Sequence, residues 1–166
     1  MRLDQFGNSI PRQARGLSLT GSRGLIGTLE GGAIGAIFQR RERGCLATAM
    51  RHTYVPQEGV KVIVERVWVG PAHVKPGQTV DIVVTYALLA PDTSQTVRVT
   101  ERREIRFNDR VVANLALQID RQPGTWSSAL WLTLPPRTEP GTYTTTVSVQ
   151  AAGGRSRAST AFVVGR

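Results

Sequence analysis

The sequence predicts a mainly β chain: a seven-stranded antiparallel sandwich preceded by a Gly-rich helical segment and an irregular arm. Three observations lead there. From Val60 onward, runs rich in Val, Ile and Thr alternate with turn-forming clusters at the spacing expected of a sandwich. Within those runs, apolar and polar residues alternate with a period of two, which assigns inner and outer faces. Upstream, residues 24–38 are apolar and carry glycine at 27, 31 and 35, once per helical turn.

The bulk composition bounds the reading. A chain of 166 residues has room for one domain and an extension. With 40% hydrophobic and 20% charged residues it is neither disordered throughout nor a polytopic membrane protein. The net charge of +9 comes almost entirely from arginine, because Lys61 and Lys75 are its only lysines. Residues 1–53 hold eight arginines against three acids, so the shorter N-terminal part is the more densely charged. This bias attracts phosphate and does not choose between lipid and nucleic acid. Cys45 has no partner for an internal disulfide. The charged "QRRER" and Glu42-Arg43 ahead of it argue against acylation of the thiol, and the first twenty residues hold no continuous apolar stretch of a secretory signal.

Taken in order, residues 1–23 are polar, are broken by Gly7-Asn8, Pro11 and Gly21-Ser22, and read as an irregular basic arm. Residues 24–44 read as a glycine-zipper helical segment. Glycine costs a helix about 1 kcal/mol against alanine, and close approach of a second helix onto Gly27, Gly31 and Gly35 offsets that cost, so these three form the expected helix-packing face. The apolar run would be about 22 Å long as a helix, short of a bilayer core of about 30 Å, and it holds Glu30. A partly inserted or oligomeric hairpin fits better than a lone span. Residues 45–59 read as a linker ending in Pro56 and Gly59.

Residues 60–166 then supply seven strands, at 60–69, 79–89, 95–107, 111–119, 125–134, 142–150 and 156–164, the immunoglobulin-like count. Val80, Ile82, Val84, Tyr86 and Leu88 share one face, as do Leu115, Leu117 and Ile119, and Tyr143, Val147 and Val149. In "EPGTYTTTV" a Pro-Gly turn precedes Tyr143, which predicts either a tyrosine corner, with the phenol bonded to a nearby carbonyl, or a core-filling ring. Both are structural roles.

Chemistry is sparse. His52 in the linker and His73 in a loop adjoin no nucleophile, and one cysteine with two histidines has no zinc spacing. The expectation is a non-enzymatic chain with no cofactor, no metal and no small-molecule substrate. In "TVRVTERREIRF", Arg98, Arg102 and Arg106 share a side with Thr100 and Glu104 and form a candidate anion-contact face, or else a charged edge that discourages aggregation. The same alternation sends Glu101 and Arg103 inward, which leads to the expectation of a bulge or an exposed edge there. In "TWSSALWLTLP", Trp131 points outward, and with Val83 on the outer side of a neighbouring strand it makes a candidate protein-interaction patch, unless the arm or linker covers it.

"LIGTLEGGAIGAIF" followed by arginines resembles one arm of the glycine-zipper segment of bacterial outer-membrane surface-antigen lipoproteins, in which GxxxGxxxG repeats form a two-helix membrane hairpin. Residues 60–166 resemble Ig-like or fibronectin-like sandwich modules, an architecture that implies no activity. Together these imply a membrane-associated structural or interaction protein of the bacterial cell envelope, which binds proteins, a membrane or copies of itself. One alternative is a structural subunit of a larger assembly, such as a filament, capsid or secretion apparatus, with an N-terminal packing arm. The other is an arginine-rich nucleic-acid-binding module, which the lack of stacking aromatics disfavours.

Overall fold

The computed structural model describes residues 26–28 and 32–166. The described chain is mainly β and forms two sheets. Its elements are β1 (Ile26–Thr28), β2 (Ala33–Arg43), the helix α1 (Cys45–Arg51), a 3-10 turn at Pro56–Glu58, β3 (Lys61–Gly70), β4 (His73–Val74), β5 (Thr79–Leu89), β6 (Val97–Phe107), β7 (Arg110–Arg121), β8 (Gly124–Thr133), β9 (Gly141–Ala151) and β10 (Gly154–Val164). One sheet has the order β1-β7-β6-β9-β10-β4 and the other β2-β8-β5-β3. Neighbours are antiparallel except β10 and β4.

Among the described residues ten strands stand where seven were expected. Seven of them, β3 and β5 to β10, fall on the seven runs expected from alternation. The additions are the pair His73–Val74 and two strands from the segment expected to be helical. Residues 33–43 are strand, paired to β8 from Ala33↔Thr133 to Arg43↔Thr125. The physical reason is a competition. Three glycines cost a helix about 3 kcal/mol unless a second helix packs on them, whereas β8 offers a row of backbone donors and acceptors that must be satisfied somewhere.

The expected helix-packing face is therefore not formed as such. Gly27 pairs with Leu115 across β1 and β7. Gly35 falls where the β2–β8 register shifts between Ile34 and Ala36, the place of an extra residue in a bulge, where glycine is common. Gly31, Leu29, Glu30 and the arm at 1–23 lie outside the described residues. No helix among the described residues is long and apolar enough to cross a membrane.

The core lies between the sheets. Val80, Ile82, Val84, Tyr86 and Leu88 of β5 are fully buried and meet Leu115, Leu117, Leu130, Leu132, Val147 and Val149. Tyr143 is the expected corner: its hydroxyl donates to the Glu139 carbonyl at 2.7 Å. Its ring stacks between Phe107, at 4.5 Å between centroids, and Phe162, at 5.4 Å. Asn108-Asp109 and Ala152-Gly153 close the β6–β7 and β9–β10 hairpins, and all four have positive φ, as two-residue turns of this hand require.

Candidate functional site

Strand β6 carries the arginine stripe, and its alternation is unbroken: every odd residue from Val97 to Phe107 is buried. It is also an interior strand, between β7 and β9. The bulge or exposed edge expected at Glu101 and Arg103 is absent, and the irregularity lies further on, between Ile105 and Arg106. Outward, Arg98 pairs with Asp120 at 3.1 Å, Arg102 donates to Asn114 at 3.0 Å and Arg106 pairs with Glu104 at 2.6 Å. The three candidate anion contacts thus share one open face, each engaged with a neighbour.

Inward, the two charges belong to a network. Glu101 is fully buried and accepts from the Tyr86 hydroxyl (2.8 Å) and Arg121 (3.1 Å) on one oxygen, and from the Ser128 hydroxyl (2.6 Å) and Arg103 (3.3 Å) on the other. Arg103 also donates to the Ser128 carbonyl at 2.9 Å. Trp126 covers this cluster, with the Arg121 guanidinium 4.4 Å from its ring centroid. Burial pushes the Glu101 carboxyl up, but the two guanidiniums and two hydroxyls outweigh it and hold the group below the ordinary carboxylate value. Two guanidiniums face one carboxylate here, and the Nε atoms of both have no hydrogen-bond partner. The alternation in the sequence already placed Glu101, Arg103 and Tyr86 inward; what it lacked was the partner strand bringing Ser128 and Arg121 to them.

Trp131 and Val83 do face the outer side of the four-stranded sheet, yet they make no open patch. Val83 is 0% and Trp131 4% exposed, and the Phe38 ring of β2 lies 4.8 Å from that of Trp131. The segment read as a zipper is what packs there. The linker helix is fixed too. Glu65, at a register shift of β3, pairs with Arg43 and Arg51 and meets His52 Nε2 at 2.7 Å, while Thr48 bonds Thr125 at 2.9 Å. This leaves Leu46 and Met50, one helical turn apart, 73% and 71% exposed. Cys45 is half-buried at the start of α1. Among the described residues no group of three His, Cys, Asp or Glu is placed to hold a metal.

One cleft stands out, and no local pattern in the chain signals it. Where the β6–β7 turn and the β8–β9 loop converge, a groove of about 710 Å³ opens over Ile105, Phe107, Ala113, Leu134, Tyr143 and Phe162. Val111, 43% exposed, stands at its edge with Arg110, Arg137 and Glu139. The floor is buried and aromatic, the open apolar wall is Val111, Val112, Pro135 and Pro136, and the volume is in the size range of small-molecule sites. Arg110 lies close enough to act on the Tyr143 phenol, whose pKa is raised by burial and by the Glu139 charge despite that cation.

No protein-family model and no curated protein matches the chain. Among solved structures it is similar to part of a cycloisomaltooligosaccharide glucanotransferase from Paenibacillus sp., at 20% identity over 63% of this chain and 14% of that one, with a TM-score of 0.49. A β-glucosidase from Erythrobacter marinus gives 10% identity, 64% and 16% coverage and a TM-score of 0.48. An alkylpurine DNA glycosylase from Pseudomonas fluorescens gives 19%, 66%, 32% and 0.45. The chain spans less than a third of the length of each, and no activity carries over at these identities.

Proposed function

We propose that the chain is a non-enzymatic binding module, an Ig-like sandwich that engages its ligand at the groove beside the β6–β7 turn. The observation that carries the reading is the groove itself. Exposed Val111 and Pro136 and half-buried Val112 and Pro135 wall a groove that lies over the buried rings of Phe107, Tyr143 and Phe162 at one end of the sandwich. The reading concerns binding and not location, because the envelope address expected from the sequence leaned on a helical zipper and residues 33–43 are strand.

The test uses a neutral solvatochromic naphthalene ketone as probe. Saturable one-to-one fluorescence enhancement is expected for the full chain. Val111→Asp, at the exposed edge of the groove, should weaken it about fivefold by wetting the apolar wall. Absence of saturable binding, or equal binding by the variant, would overturn the reading. A second reading, a structural subunit of an assembly, is favoured by one separate feature: the outward apolar face of α1 at Leu46 and Met50.

A further inference from the structure

We propose that the groove selects an apolar carboxylate, a small molecule whose aryl or alkyl body lies along the apolar wall of Val111, Val112, Pro135 and Pro136 while its carboxylate meets Arg110 and Arg137. This rests on the groove being a binding site and adds the chemistry of what enters it. Three features carry it. The wall open to a ligand is Val111, Val112, Pro135 and Pro136, backed by the buried, parallel-stacked rings of Phe107, Tyr143 and Phe162, so it is apolar and the one phenol behind it is spent: the Tyr143 hydroxyl donates to the Glu139 carbonyl. The rim is cationic, with Arg110 and Arg137 against Glu139.

Those two guanidiniums also differ from outward arginines of β6. Arg106 is engaged by Glu104, and Arg98 by Asp120. Among the described residues, neither the Arg110 nor the Arg137 guanidinium forms an ion pair or a hydrogen bond. A guanidinium presents a planar fork that matches a carboxylate, and beside an apolar wall the pairing is screened less than in open water. An uncharged ligand would cover the apolar wall and leave both forks unused. A cationic one would be repelled by them.

The experiment follows backbone amides of the full chain by NMR while 4-phenylbutanoate, 4-phenylbutanol or 4-phenylbutylamine is added. The carboxylate is expected to shift the amides of residues 110–113 and 137–139 and to bind about tenfold more tightly than the alcohol, with the amine weakest. Arg110→Gln combined with Arg137→Gln should bring carboxylate and alcohol to equal affinity while leaving the alcohol unchanged. Both arginines are exposed, so the fold tolerates the change. Equal binding of carboxylate and alcohol by the unaltered chain would overturn the carboxylate preference and leave the groove standing. Shifts confined to other surfaces would overturn both.

Discussion

Glu101 decides more at the residue scale than its single charge suggests. It is the one acid between two buried guanidiniums, so Glu101→Gln leaves both uncompensated where water cannot reach them. Breaking a buried pair from one side costs about 3–5 kcal/mol, which for a chain of this length lowers the melting temperature by roughly 10 °C in calorimetry. Replacing Glu101, Arg103 and Arg121 together by apolar residues of similar volume should recover most of that loss, since no orphaned charge remains.

The same cluster sets a pH profile. Because the folded Glu101 carboxyl lies below its ordinary 4.5, its stabilisation is complete above pH 4.5 and is lost as the pH falls through the folded value. Tyr86 works in the opposite direction. Burial, and then the Glu101 charge, raise its phenol well above 10.0, so the unfolded chain ionises first and stability falls as the pH rises beyond 10.0. Denaturant titrations over pH should show a plateau bounded by these two limbs, and Glu101→Gln should flatten the acid one.

At the scale of elements, turns and edges carry the specification. The β9–β10 hairpin turns on Ala152 and Gly153 at φ 44° and 85°. Glycine adopts this region freely, while an alanine there strains its Cβ against the backbone by about 1 kcal/mol or more. Ala152→Asn, a residue tolerant of that conformation, is therefore expected to raise stability by about 0.5–1 kcal/mol, read as a higher midpoint of denaturation with unchanged slope. The Asn108-Asp109 turn needs no such repair. The opposite lesson comes from β2, where a glycine spacing that matches a helical period ends in a strand with Gly35 at a register shift. Local spacing could not reveal that, because the deciding partner, β8, lies some ninety residues away in the chain.

For the whole molecule, the two accessible apolar features point to different behaviours. On the proposed reading the groove takes a small ligand, whereas Leu46 and Met50 project from a helix clamped to the sandwich through Arg51–Glu65 and Thr48–Thr125. If that face packs on another copy, sedimentation at rising concentration will show association that Leu46→Ser with Met50→Ser abolishes. Association unchanged by the pair would remove α1 from any assembly surface. Much of this architecture was legible in advance. Alternation along β5, β6 and β9 is a property of extended backbone, where successive side chains point to opposite faces, so seven strands, their inner faces and the Tyr143 corner followed from the sequence by itself. Tertiary structure alone decided which edges paired, which partners meet the inward charges of β6, and where the groove forms. Those outcomes depend on residues distant along the chain, such as Ser128 reaching Glu101 and the β8–β9 loop meeting the β6–β7 turn. No local pattern encodes the place where two sheets meet.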